Sequence, residues 1–198
     1  EGGSNYEFSL GLNGLGLCAT QYSSAWMTAD IYRDATHYHL DFKKGENVGG
    51  LQKEAYNGRR TGSIIRWKPD DDVFTDTNVP GSYYRDTLKR QAVVNAGVTL
   101  NFTDEKEPDP ATGRPWKESW CYEHGITDYV QELSGEGALT QVYTCESEAT
   151  GRDREDMPDY KVKMSAAFCF SNTVQALEYY HNSSWLEHGG SPEHAVKT

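Results

Sequence analysis

The sequence predicts an α+β fold, and three observations support this class. A glycine-rich loop near the start leads into a short helical segment. Residues 160–170 alternate strictly between apolar and other side chains, which is typical of a strand. Residues 126, 129, 130 and 133 are apolar, at the spacing of an amphipathic helix. The chain has 198 residues, enough for one large domain or two small ones.

The glycine-rich loop is the first element, and it reads Gly11-Leu12-Asn13-Gly14-Leu15-Gly16. Glycine tolerates positive φ and lets a ligand approach the backbone closely. Residues 17–22 are predicted to form a helix, whose first N–H groups and positive dipole end attract phosphate. The loop therefore predicts a phosphate site, and a plain turn is the alternative interpretation.

A β-hairpin is predicted next, from strands at residues 29–33 and 37–42 around a turn at 34–36. The second strand places His37, His39 and Asp41 on its polar face. The two histidines are candidate metal ligands, but no Cys or Glu follows at ligand spacing. We therefore expect a solvated strand face and no metal site.

Residues 43–60 are polar and contain glycine, so they are predicted to form a loop. A strand is expected over residues 64–70, stopped by Pro69. Asp70, Asp71 and Asp72 then predict a solvated turn, because three consecutive residues cannot all converge on one cation.

The middle of the chain predicts a helix, two strands and a turn. The helix covers residues 83–95, with Tyr84, Leu88, Gln91 and Asn95 on one stripe and Gly97 as the C′ glycine. A strand over 98–102, a proline-containing turn over 107–115 and a short strand over 119–122 are expected to follow.

The last third predicts a helix over residues 126–133 and a strand over 141–145, followed by a charged loop over 146–159. The strand at 160–170 is expected to pair with residues 175–181 in an antiparallel hairpin. Ser191 as N-cap and Pro192 at the first helical position predict a final helix.

Composition excludes several classes. The net charge is −11, so the chain gains nothing from neutralising a phosphate backbone and a broad nucleic-acid face is not expected. Neither a bilayer-spanning apolar run nor a signal peptide is found, so we expect a cytoplasmic protein without a membrane partner. The four scattered cysteines are expected to be buried thiols. Lacking an initiator Met, the chain is expected to be a piece of a longer protein.

One known family shares several of these segments. Residues 6–16 read Tyr-Glu-Phe-Ser-Leu-Gly-Leu-Asn-Gly-Leu-Gly and resemble the Tyr-Lys-Val-Ser-Gly-Gly-Leu-(His/Asn)-Gly-Val-Gly segment of type IIA topoisomerases. The match runs without a gap through Arg33, although Leu10 stands where that family has glycine. Segments at 60–63, 122–126 and 180–191 recur in family order. The chain thus resembles the B-type ATPase subunit of DNA gyrase and its topoisomerase IV counterpart.

The resemblance implies a fold and a site. Residues 1–123 would be the later half of a GHKL-type α/β sandwich including the ATP lid, and residues 124–198 the first part of a ribosomal-protein-S5-domain-2-like transducer domain. Ser63 would lie on the floor of the adenine pocket, and Arg33 at the pocket mouth where aminocoumarin-type inhibitors bind. The implied nucleotide-binding residues are Tyr6, Gly11, Leu12, Asn13, Gly14, Leu15, Gly16 and Ser63.

The resemblance also implies the ATP-binding and signal-transducing portion of an ATP-dependent type II DNA topoisomerase, which couples ATP hydrolysis to DNA strand passage. In that family the general-base glutamate and the adenine-reading Asp lie upstream of this segment, and a phosphate-sensing Lys lies downstream. With ATP and Mg²⁺ as cofactors, this segment would contain no catalytic residue and no metal ligand. It is therefore predicted to be inactive alone. The implied partners are ATP, a second copy of the B-type subunit, an A-type subunit, and DNA bound through other domains.

Two alternatives stay open at the level of sequence. The chain could come from a chaperone or mismatch-repair relative that shares the ATPase fold, or it could be a non-enzymatic α+β binding domain whose glycine loop is a turn. An encoded Glu-x-x-x-Asn helix and an Asp-Gly-x-Gly box upstream of Glu1 would exclude the binding domain.

Overall fold

A computed structural model describes residues 15–152 and 154–198 of the chain. It divides into two compact units, Glu1–Val79 and Pro80–Thr198, which are described separately. The predicted boundary between residues 123 and 124 lies inside the second unit and stays a prediction.

The first unit, as described from residue 15, combines one helix with a four-stranded antiparallel sheet. The helix α1 covers Leu15–Tyr22. The strands are β1 (Ser24–Arg33), β2 (Thr36–Lys43), β3 (Glu46–Ala55) and β4 (Gly62–Pro69). Their order across the sheet is β3-β2-β1-β4, so the hairpin of β1 and β2 lies at its centre. The predicted hairpin is confirmed, and β1 begins five residues before the predicted start.

Register in this sheet follows from alternation of apolar and polar side chains. Asp30 pairs with His39 and Tyr32 with His37, so these four side chains share one face. Met27 and Ala29 are buried on the opposite face. The helix α1 packs against β1 and β4 but contains no buried residue.

The strand β3 corrects the prediction of a loop over residues 43–60. All ten of its residues are exposed, so it has no apolar face for a sequence pattern to detect. It forms because its backbone groups pair with those of β2, as in the pair Tyr38–Lys53. A polar edge strand of this kind is a common way to end a sheet in solvent.

In the described residues, the second unit contains three α-helices, one 3-10 helix (Gly135–Gly137) and three two-stranded sheets. The helices are α2 (Gly81–Val94), α3 (Ile126–Ser134) and α4 (Gly190–Lys197). Antiparallel pairs join β5 (Leu100–Pro108) to β6 (Pro115–Trp120), β7 (Tyr143–Gly151) to β8 (Tyr160–Phe168), and β9 (Tyr180–His181) to β10 (Ser184–Trp185).

The core of the second unit forms where α2 meets β6 and the segment after it. Its buried residues are Ala92, Val93, Trp120 and Tyr122. Partly buried side chains pack around them: Leu88, Val94, Leu100, Phe102, Ile126 and Tyr129. The predicted helices 83–95 and 126–133 are confirmed as α2 and α3. The predicted α2 stripe is only partly right, because Ala92 and Val93 carry the burial while Tyr84 is exposed.

Strand pairing in the last third differs from the prediction. The strand at 160–168 pairs with Tyr143–Gly151, through pairs such as Cys145–Ala166, and not with residues 175–181. Residues 146–151 are therefore strand and not loop. Both β7 and β8 are largely exposed, so backbone pairing and not burial defines them.

Two smaller predictions are also corrected. The cap of α4 is Gly189, with φ of 71°, and Ser191 and Pro192 lie inside the first turn. Glycines at 189 and 190, both with positive φ, turn the chain before Ser191 is reached. The cysteines are not buried thiols, because Cys18, Cys121 and Cys145 are exposed and Cys169 is partly exposed.

Within the described part of the chain, none of the helices has the length and apolar character needed to cross a membrane.

Candidate functional site

Of the predicted phosphate loop, residues 11–16, the structure describes only the last two residues. Tyr6, Gly11, Leu12, Asn13 and Gly14 lie outside the described residues. The remaining two positions, Leu15 and Gly16, are the first residues of α1, so the helix begins two residues before its predicted start.

The N-terminal end of α1 is open to solvent. Leu15 is 65% exposed. A Cβ built on Gly16 would have no atom of another described residue within 4 Å, apart from its chain neighbours and the backbone of its own helix. The first turn of α1 therefore leaves room for a ligand beside it, and none of its residues is buried.

The C-terminal end of α1 is held in place. The side chain of Gln21 donates a hydrogen bond to the carbonyl of Gly45 at 2.8 Å. The Tyr22 ring lies so close over Gly45 that any side chain at that position would collide with it. Gly45 has φ of 84°, which suits the tight turn between β2 and β3. The helix is thus anchored to the sheet at one end and exposed at the other.

The other two predicted site residues lie on the sheet. Ser63 is the second residue of β4 and pairs with Ile31 of β1. Arg33 ends β1 two residues further along, so pleating places it on the same face as Ile31 and Ser63. The side chain of Arg33 is exposed and forms an ion pair with Asp34 at 3.2 Å. The structure therefore places Ser63 and Arg33 on one face, with Ile31 between them.

A polar cluster occupies the opposite face of the same strands. Ring N–H groups of His37 and His39 both donate to Asp30 Oδ1, from Nε2 and Nδ1 respectively, each at 2.8 Å. His39 Nε2 lies 3.1 Å from Asp41 Oδ2. Arg66 Nη1 donates to Asp30 Oδ2 at 3.1 Å. In the described residues, Asp30, His37 and His39 form the group whose ligand atoms lie within 4.8 Å of one another.

Hydrogen bonding controls the protonation of this cluster. The bond from His39 lowers the pKa of Asp30, partial burial opposes that shift, and the bond from His37 adds to it. Bonds to Asp30 and then to Asp41 raise the pKa of His39, against a smaller opposing effect of burial. These contacts favour an ionised Asp30 and a protonated His39.

Asp30 is the functional candidate that sequence reasoning missed. The residues that follow the two histidines include no Cys or Glu at ligand spacing. Asp30 lies on the preceding strand, across the hairpin turn, seven residues before His37 and nine before His39. The register of β1 and β2 was the signal that could have found it, because it sets Asp30 directly opposite His39.

The Asp70–Asp72 segment forms a turn, as predicted. Asp70 is buried, and its Oδ1 accepts a hydrogen bond from the backbone N–H of Asp72 at 3.0 Å. Lys44 forms ion pairs with the carboxylates of Asp70 and Asp72. The carboxylates of Asp70 and Asp72 are thus paired with a lysine, and that of Asp70 also with the backbone of the turn.

Known proteins resemble this chain in sequence, although no protein-family model matches it. The B-type subunit of DNA topoisomerase 4 from Escherichia coli (strain K12) is 33% identical over 129 residues, which cover 65% of this chain and 19% of that protein. The corresponding protein of Staphylococcus aureus (strain Mu50) is 28% identical over an alignment 203 residues long, gaps included. This alignment covers 100% of this chain and 28% of that protein. The matched part of the chain therefore spans only 19% to 28% of the length of these relatives, which are enzyme subunits.

Solved structures show the same fold. The 43K ATPase domain of Thermus thermophilus gyrase B, solved in complex with an aminocoumarin, matches 72% of this chain with a TM-score of 0.54 and 23% identity; the match covers 37% of that domain. The ATP-binding domain of Francisella tularensis topoisomerase IV, solved with a small-molecule inhibitor, matches 76% of this chain with a TM-score of 0.53 and 23% identity; the match covers 41% of that domain.

These likenesses confirm the predicted fold class and favour the topoisomerase interpretation over a chaperone, a mismatch-repair protein or a plain binding domain. The chain is similar in sequence to B-type subunits of DNA topoisomerase 4 over part of their length, and similar in fold to the ATPase domains of gyrase B and topoisomerase IV.

Proposed function

We propose that the chain is the ATP-lid and signal-transducing portion of an ATP-dependent type II DNA topoisomerase, in which it couples ATP binding to DNA strand passage. The observation that carries the proposal is the match to a B-type topoisomerase 4 protein along the whole chain. The fold of ATPase domains in the solved relatives supports it.

Residues 11–16 would bind the terminal phosphates of ATP through backbone N–H groups at the start of α1. Two features of the described residues support this role. The first turn of α1 is exposed, and the space beside Gly16 is open. A helix start with unpaired N–H groups and a positive dipole end favours an anion at that position. Asn13, by its residue type, would add a side-chain donor, and Tyr6 would belong to the lid.

Ser63 and Arg33 would contribute to the same nucleotide pocket from the sheet. Ser63 would present its hydroxyl to the adenine end, and Arg33 would lie at the mouth. Their common face of the β1–β4 pair supports this assignment, since both can then approach one ligand. Within residues 15–152 and 154–198, the exposed guanidinium of Arg33 pairs with the neighbouring Asp34, and it can turn toward a ligand.

The partners follow from the same proposal. ATP and Mg²⁺ would be the cofactors, with the Mg²⁺ ligand supplied by another part of the protein. A second copy of the B-type subunit, an A-type subunit and DNA would be bound through other segments. The acidic composition of this chain supports a role away from the DNA-binding surface.

The substitution Gly14→Val tests the phosphate loop in the intact protein. A branched Cβ would crowd the phosphates and disfavour positive φ. We expect binding of a non-hydrolysable ATP analogue to be lost, while the far-UV circular dichroism spectrum and the melting temperature stay as in the wild type. Gly113→Val is the matched control, because it adds the same branched side chain to a loop glycine that lies in the β5–β6 turn. Unchanged analogue affinity in Gly14→Val would refute the assignment.

A further inference from the structure

The polar face of the central hairpin brings together a set of groups that the nucleotide site does not use. Asp30 lies on β1, and His37 and His39 lie two residues apart on β2. Antiparallel pairing of Asp30 with His39 and of Tyr32 with His37 turns all four side chains to one face. Arg33 and Ser63 lie on the other face, so the two groups are separated by the sheet.

The donor atoms have the chemistry and spacing of a metal site. Two imidazole nitrogens and one carboxylate oxygen form a common ligand set for Zn²⁺. Both nitrogens lie 2.8 Å from Asp30 Oδ1, and all three atoms lie within 4.8 Å of one another. A tetrahedral ion with bonds of about 2.1 Å would separate its ligands by about 3.4 Å. Small side-chain rotations would therefore admit the ion, which would release the proton of His39 Nδ1 to solvent and bind His37 in the tautomer that carries its ring proton on Nδ1.

Surrounding groups hold the three side chains in the orientation that binding requires. Asp41 Oδ2 lies 3.1 Å from His39 Nε2, so it can accept the remaining ring proton while Nδ1 faces the ion. The Tyr32 ring stacks on His37 with centroids 4.6 Å apart and an interplanar angle of 7°. Arg66 binds Asp30 Oδ2 and leaves Oδ1 directed at the histidines.

The charged side chains around the three ligand atoms affect whether the cluster binds a cation. Arg66 opposes a cation, whereas Asp30 and Asp41 favour it. Once the ion has displaced the proton of His39 Nδ1, both imidazoles are neutral, and two carboxylates and one guanidinium leave the ligand set net negative. Side-chain exposures of 13% for Asp30, 23% for His37 and 26% for His39 keep the cluster partly shielded yet reachable from solvent.

We propose that Asp30, His37 and His39 bind a divalent transition-metal ion, with Zn²⁺ as the preferred ion and water completing its coordination. The ion would cross-link β1 to β2 at the centre of the four-stranded sheet. This site is independent of the proposed nucleotide function.

Isothermal titration calorimetry with Zn²⁺ tests the proposal. The pH is set to 8 because protons then compete less with Zn²⁺ for the histidines. The intact protein is first alkylated at its thiols, since exposed Cys18, Cys121 and Cys145 are competing Zn²⁺ ligands. We expect binding at the cluster that His37→Gln and His39→Gln each abolish, and that Asp41→Asn weakens by about 10–100-fold. The variant His124→Ala is the matched control, because His124 also pairs with an aspartate, but in the second unit; its Zn²⁺ affinity should equal that of the wild type.

A second measurement guards against misfolded variants. Zn²⁺ should raise the melting temperature of the wild type and of His124→Ala. It should leave the melting temperatures of His37→Gln and His39→Gln unchanged. Circular dichroism without metal should show that all four proteins are folded. The proposal is overturned if the alkylated wild type binds no Zn²⁺, or if folded His37→Gln and His39→Gln bind it as tightly as the wild type.

Discussion

Asp34 and Ala35 connect the two central strands, and both have positive φ, of 52° and 53°. This conformation matches the two-residue turn whose twist suits an antiparallel hairpin. An alanine is strained there, because its Cβ approaches the backbone in the left-handed region. The backbone of Ala35 is therefore strained, in the hairpin that carries residues of both candidate sites.

Ala35→Gly should relieve this strain. We expect the free energy of unfolding to rise by about 0.5–1 kcal/mol, since removal of the left-handed penalty outweighs the extra flexibility of glycine in the unfolded chain. Ala55→Gly, at the end of β3 where φ is not positive, is the control and should lower it by about 0.5–1 kcal/mol. Urea unfolding measures both. A loss of stability in Ala35→Gly would show that the turn is not strained.

The helices α2 and α3 are joined by a polar network at the edge of the core of the second unit. Glu132 accepts a hydrogen bond from Lys89 at 2.6 Å and one from Tyr122 at 2.7 Å. Burial raises the pKa of Glu132, but the bonds from Lys89 and Tyr122 together outweigh it, so the pKa lies below its usual value. Burial and hydrogen bonding to Glu178 raise the pKa of Tyr129, next to this network, to about 12.

This shift predicts a pH dependence of stability. A lowered carboxylate pKa stabilises the folded chain above the usual value of 4.5, and that contribution is lost as the pH falls through the folded pKa. Because Glu132 is half exposed, Glu132→Gln should cost only about 0.2–1 kcal/mol at pH 7 and almost nothing at the lowest pH at which the protein stays folded. Urea unfolding at several pH values measures this, with exposed Glu136→Gln as the control. An equal cost at all pH values would contradict the assignment.

Elements with a regular spacing of apolar side chains were predictable from sequence, even the largely exposed strand β8, and β3 and β7, which lack such a spacing, were not. The helix α3 and the hairpin of β1 and β2 carry clear periods, and both are confirmed. The strands β3 and β7 are exposed along almost their whole length, so no pattern marks them, and only pairing with β2 and β8 makes them strands. The same reason explains Asp30, whose role depends on register across a turn.

At the scale of the whole molecule, we propose that this chain supplies only part of a nucleotide site. The general base and the adenine-reading aspartate would come from other polypeptide, so the 198-residue chain alone should not hydrolyse Mg²⁺-ATP above the buffer rate. Release of inorganic phosphate from the purified chain, compared with buffer and with the intact protein, measures this. Hydrolysis by the chain alone that is also lost in Gly14→Val would show that the base lies within it.

The most direct test of the phosphate site is the affinity of the intact protein for a non-hydrolysable ATP analogue after Gly16→Ala. The structure shows open space for the added Cβ, and alanine favours a helix by about 1 kcal/mol over glycine, so the fold should be kept or stabilised. If the backbone at Gly16 binds phosphate, the methyl group will displace the ligand from a charged hydrogen bond and weaken binding by about 10-fold or more. Analogue affinity equal to that of the wild type, in a variant with an unchanged or higher melting temperature, would contradict the account.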